Sequence, residues 1–116
     1  VWTKYKTTTG QIKGITPSSA DFGGSYQGGE AVVKSYIGDV DNLKKITLKG
    51  VSYETVLPYI SRGKPVLAKT ANGYVIITAY DATSVTYLGS GKEINITTTD
   101  AAKLFTQGGN LYVTFY

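Results

Sequence analysis

From Gly63 onward, apolar and polar side chains alternate in short runs separated by turn residues: KPVLAKT, YVIITAY, SVTYL, KEINIT and NLYVTFY. Runs of period two predict strands, and the Asn72-Gly73 pair between the first two is a strong short-range hairpin signal. Residues 64 to 96 are therefore expected to form a continuous antiparallel meander. DAAKLFTQ breaks the alternation with helical spacing. Its Ala101, Leu104 and Phe105 share one side, Thr98 or Thr99 can cap it, and Gly108-Gly109 can stop it.

The first half carries a different pattern. In EAVVKSYI, residues Val32, Val33, Tyr36 and Ile37 recur at helical spacing and Gly38 follows as a stop, so a short helix is expected from Glu30. A second helix is expected after Ser52, with Val56, Leu57 and Ile60 as its apolar face and Gly63 as its end. Pro58 conflicts with that start, because an interior proline removes a backbone bond. DNLKKITLKG reads as a turn leading into a short extended piece. The glycine- and serine-rich PSSADFGGSYQGG, residues 17 to 29, reads as a loop anchored by Phe22 and Tyr26. VWTKYKTTTGQIKGIT alternates at first and breaks at Gly10 and Gly14, a short N-terminal strand or loop; residues 1 to 20 stay otherwise unassigned. The sum is an α+β fold: a twisted antiparallel sheet with two or three short helices packed on it.

At 116 residues the chain is expected to be one domain. Hydrophobic residues at 41% against charged residues at 17%, with ten tyrosines, fit a folded, strand-rich module. The net charge of +4 comes from lysines spread over the whole length and one arginine, Arg62, so nothing in the sequence concentrates charge on one element and nucleic-acid binding is not expected. Cysteine, histidine and methionine are absent. That excludes a disulfide framework and a thiolate site. No apolar run approaches the length of about 20 residues needed to span a bilayer. The first residue is not methionine, and the chain is expected to be a fragment of a longer one.

Short motifs with chemistry of their own do not survive inspection. LGSGKE looks like the end of a phosphate-binding loop, but Thr86 stands where the first glycine is required and Glu93 where a magnesium-binding hydroxyl belongs. DVDN, residues 39 to 42, lacks the turn glycine and closing glutamate of a calcium loop. Asp81, Glu93 and Asp100 fall at element ends, where carboxylates commonly cap. NIT at residues 95 to 97 is a glycosylation sequon within a predicted strand. No metal or cofactor is expected.

The order of elements resembles the second half of the bacteriocin-processing cysteine peptidases, which cleave double-glycine leaders and have a papain-like fold. ISRGKPVLAKT matches that family's helix, glycine, basic residue, proline and aliphatic strand. GYVIITAYD keeps the next strand with Tyr80 and Asp81, although Ala79 replaces the family's glycine, and SVTYLGSGKEINITTTDAAKLFTQGGNLYVTFY follows the remaining course. The match covers residues 50 to 116, and more loosely residues 22 to 50. It implies a papain-like half.

The resemblance also implies where chemistry should be. The family's histidine falls on Tyr74 and its orienting aspartate on Gly89, followed by Ser90, while the helix carrying the cysteine lies before this segment or has been lost. A tyrosine with a pKa near 10 cannot act as a neutral-pH base as histidine does. The expectation is a non-catalytic, peptidase-like module, exported to the exterior or surface of a bacterial cell, that holds a peptide, a partner protein or a cell-wall component. Some transporter-linked relatives in the family have lost the cysteine and retain the domain to hold an extended polypeptide. The expected cleft is lined by Tyr74, Gly89, Ser90, Phe22 and Tyr26, with Tyr80 among the sheet tyrosines. Two alternatives stay open: the C-terminal part of an active peptidase whose nucleophile lies upstream, and a subunit that self-assembles through an edge strand such as LYVTFY.

Overall fold

The computed structural model describes residues 10–11, 15, 25–38, 42–71, 73–89 and 92–115. Seven strands run in chain order: β1 Gly10–Gln11, β2 Lys45–Lys49, β3 Val66–Thr70, β4 Gly73–Tyr80, β5 Ser84–Gly89, β6 Lys92–Thr97 and β7 Leu111–Phe115. Three α-helices accompany them, α1 Tyr26–Ile37, α2 Leu57–Ser61 and α3 Thr98–Gln107, with a 3-10 turn at Tyr53–Thr55. The sheet order is β2-β7-β3-β4-β5-β6, antiparallel throughout, and β1 pairs with the far end of β4. The architecture is the expected α+β one.

The meander from β3 to β6 forms as the alternation predicts. Asn72 lies outside the described residues, but Gly73 has φ 127°, a conformation that a β-branched residue resists. Thr70 closes the turn by donating its hydroxyl to the Gly73 carbonyl at 2.7 Å. The β4–β5 turn is tied by one carboxylate: Asp81 Oδ1 accepts from the backbone N–H groups of Thr83 and Ser84, each at 2.8 Å. These bonds favour the charged form and hold the Asp81 carboxyl below its ordinary value.

Helix boundaries differ from expectation for local reasons. α1 begins at Tyr26, a turn before Glu30, because Ser25 caps it by accepting from the Gly28 N–H at 3.0 Å. Buried Gly29 then lies one turn before buried Val33. The helix predicted from Ser52 is split. A 3-10 turn comes first and α2 starts only at Leu57, which puts Pro58 in the first turn, where the missing N–H costs nothing. Thr97 caps α3, accepting from the Asp100 N–H at 3.2 Å, in place of Thr98 or Thr99. At the N-terminus, Gly10–Gln11 is a strand although the pattern breaks there; residues 1–9 lie outside the described residues.

Two apolar clusters sandwich the sheet. On one face α2, α3 and the 3-10 turn cover Val66, Ala68, Ile77, Val85 and Tyr112; on the other, α1 covers Leu67, Ile76, Leu88, Val113 and Phe115. A bulge in β4 matters here. Ile77 pairs with Tyr87 and Ala79 with Thr86, so Thr78 is the extra residue and the side-chain alternation shifts by one.

The closing strand is internal, not an edge. β7 pairs with β2 over its whole length and with β3 at Leu67↔Val113 and Ala68↔Tyr112. Assembly through a free edge at residues 111 to 115 is therefore closed off, and the path ends instead at β2 and β6 among the described residues. Inside β7, the buried Thr114 hydroxyl donates to the Pro65 carbonyl at 2.8 Å. Tyr112, 1% exposed, donates to Asn110 Oδ1 at 3.1 Å, and burial pushes its pKa well up.

Two predictions follow from this packing. Gly108, which links α3 to β7, has ordinary helical angles but lies so close to the Lys69 carbonyl that a Cβ has no room. Gly108→Ala should destabilise the fold by about 3 kcal/mol, read by denaturant unfolding. Asp81, with its lowered pKa, contributes stability that is present above the ordinary value near 3.8 and is lost as pH falls through the depressed one. Asp81→Asn keeps the acceptor oxygen but does not titrate, so its melting temperature should fall less between neutral and acid pH than that of the unaltered chain.

Candidate functional site

Tyr74 is the second residue of β4 and pairs with Lys69 of β3. It stands before the bulge, so its side chain shares the α1 face with Ile76. There it meets Tyr26, the first residue of α1. The two rings pack edge to face, centroids 5.3 Å apart and planes at 64°. Both are half-buried. Such pairs contribute about 0.5 to 1.5 kcal/mol beyond the area they bury.

Charges surround the pair. Lys45 Nζ, from β2, sits over the Tyr26 ring at 5.0 Å from its centroid, and Lys34 Nζ sits over Phe115 at 5.1 Å. Lys34 also pairs with Glu30, one turn earlier on α1, at 3.0 Å. Among the described residues the buried Tyr26 hydroxyl has no partner of good hydrogen-bond geometry, although Lys45 and Glu30 lie beside it. Burial is the main cause that raises its pKa, with the Lys45 ammonium lowering it and Glu30 raising it. Conversely, the Tyr26 hydroxyl beside it and then Lys34 hold the Glu30 carboxyl below its ordinary value. Tyr26 thus stays protonated at neutral pH. The arrangement offers ring faces, ammonium groups, a carboxylate and a hydroxyl for contact.

Of the six residues the sequence pointed to, the fold joins two, Tyr26 and Tyr74. Tyr80 is buried at 4% exposure in the cluster on the opposite face, because the bulge at Thr78 reverses the alternation that would have aligned it with Tyr74. Gly89 is buried, and a Cβ built there would lie 2.9 Å from Val75 Cγ1. Val75 also packs with the opposite cluster, so position 89 turns away from Tyr74, and a side chain there would require Val75 to shift. Phe22 and Ser90 lie outside the described residues. Lys34, Lys45, Glu30 and Phe115 were not legible as site residues, since only the β2–β7 register and the seat of α1 bring them together.

Elsewhere, among the described residues, no group of histidine, cysteine or carboxylate side chains could hold a metal ion. A shallow recess of about 370 Å³ on the outer side of α3, lined by Ala102, Lys103, Thr106 and Gln107, gathers no convergent chemistry. No helix is long and apolar enough to cross a membrane among the described residues.

No family model and no curated protein matches the chain. Among solved structures, the chain is similar to a protein described as a C39-like peptidase from Bacillus anthracis, with a TM-score of 0.57 and 18% identity over 77% of this chain. The chain spans 57% of that neighbour. At this identity the likeness shows the fold: the chain has the α+β architecture of a papain-like peptidase.

Tyr74→Ala removes a half-buried ring and leaves Tyr26 without its aromatic partner. We expect a loss of about 2 kcal/mol in denaturant unfolding, below the 3 to 5 kcal/mol typical of a fully buried aromatic. A loss above about 4 kcal/mol would assign Tyr74 to the core.

Proposed function

We propose that this chain is a non-catalytic, peptidase-like binding domain that holds an extended peptide or a protein partner against the α1 face at Tyr26 and Tyr74. The observation that carries this reading is the edge-to-face pair itself, which occupies the position where the resemblance puts the histidine of the peptidases. Aromatic rings with polar tips supply rigid contact area at low entropic cost, which suits binding. The packing at Gly89 supports the same reading, because an orienting aspartate there would displace Val75. Neither a thiol nor an imidazole exists anywhere in the chain to perform the family's proton transfer. On the same resemblance, the domain acts outside or on the surface of a bacterial cell.

The test has two arms. Incubated with a double-glycine leader peptide or a general protease substrate, the chain should show no turnover above a heat-inactivated control, with or without a thiol-directed inhibitor. Turnover would revive the reading of an active peptidase. Screened against a panel of extended peptides, the chain should select binders whose affinity falls about tenfold to a hundredfold in Tyr74→Ala. Binders indifferent to that change would remove the site from this face.

A further inference from the structure

Lysines far apart in sequence are gathered by strand register onto the α1 face. Lys49 pairs with Leu111, and Lys69 pairs with Tyr74. The β3–β7 pairing ends at Leu67↔Val113 and Ala68↔Tyr112, and the same register extended by one residue brings Lys69 level with Leu111. A single row therefore crosses four strands in the order Lys49, Leu111, Lys69, Tyr74. Alternation keeps all four on the α1 side, in step with Lys45, Val113, Leu67 and Ile76. Lys49 and Lys69 are exposed, while Leu111 and Tyr74 are half-buried. Two strand spacings, about 10 Å, separate the two lysines.

Carboxylates among the described residues do not answer this charge. Glu30 is engaged by Lys34. Glu54 and Asp100 belong to the 3-10 turn and to α3 on the other face, Asp81 ties the β4–β5 turn, and Glu93 lies on β6 at the far edge. We propose that the peptide held on this face is acidic, its carboxylates meeting Lys49 and Lys69 and its apolar side chains resting on Leu111 and the Tyr26–Tyr74 pair. The proposal rests on the binding function above and adds the chemistry of the ligand. Alternating ammonium and apolar groups match a polypeptide that mixes acidic and apolar side chains better than a uniformly charged polyanion.

The test uses the whole chain and two synthetic peptides of equal length, a leucine and serine background carrying either glutamate or glutamine at alternate positions. Binding is read by fluorescence anisotropy at about 50 mM and about 0.5 M salt. The glutamate peptide should bind about tenfold tighter at low salt and lose that preference at high salt. Combined Lys49→Gln and Lys69→Gln, both at exposed positions, should remove most of the preference and leave the glutamine peptide unaffected. Tyr74→Ala, checked for folding by its melting curve, should weaken both peptides alike. Equal binding of the two peptides, or a preference that survives the double lysine variant, overturns the acidic ligand while a Tyr74 effect still upholds binding at the Tyr26–Tyr74 pair. A lysine effect without a Tyr74 effect overturns binding at the Tyr26–Tyr74 pair and keeps the charge recognition. Binding of neither peptide overturns both. A single-stranded oligonucleotide that displaces the glutamate peptide at equal concentration overturns the peptide in favour of a general polyanion surface.

Discussion

The strand that ends the described chain holds the sheet together. β7 lies between β2 and β3, so β2, contributed by the segment between α1 and α2, joins the meander through it. Its side chains feed both cores: Tyr112 packs under α2 and α3, Val113 and Phe115 under α1. Such a strand is buried on both faces and paired on both edges, which leaves little tolerance for polar groups, and its two polar side chains are satisfied by Pro65 and Asn110. The pairings of β7 with β2 and β3 are remote in sequence, the kind of contact whose loop-closure cost slows folding.

Site geometry depends on that insertion. Register between β2 and β7 puts Lys45 beside Phe115, and register between β3 and β4 puts Lys69 beside Tyr74. α1, capped by Ser25, then sets Tyr26 against Tyr74. A slip of one residue in either pairing would send these side chains to the opposite face. The bulge at Thr78 shows this within the native fold, since it separates Tyr80 from Tyr74.

Under the proposed function, the peptidase-like architecture serves to hold a chain rather than to cleave it. A cleft that positions an extended chain for attack has much of what a cleft that only holds the chain requires: a paired sheet, a helix N-terminus and rings for contact. Where the resemblance puts an imidazole the chain has Tyr74, and where it puts a carboxylate it has Gly89, packed on Val75.

The sequence by itself determined the strands from β3 to β6, the hairpin at Gly73, the existence of α1, α2 and α3, and the α+β class, because each rests on local periodicity or turn chemistry that neighbours in sequence enforce. It also singled out Tyr26 and Tyr74, through the resemblance. Helix starts were less legible: Ser25 and Thr97 prevailed over other candidates because a cap depends on which hydroxyl reaches an unpaired N–H, a matter of backbone path. Only the tertiary structure decided that β7 is internal, that Tyr80 faces the other core, and that Lys34, Lys45, Lys49 and Lys69 share one face. Those outcomes depend on long-range register and on a single bulge, and neither leaves a mark in the spacing of residues along the chain.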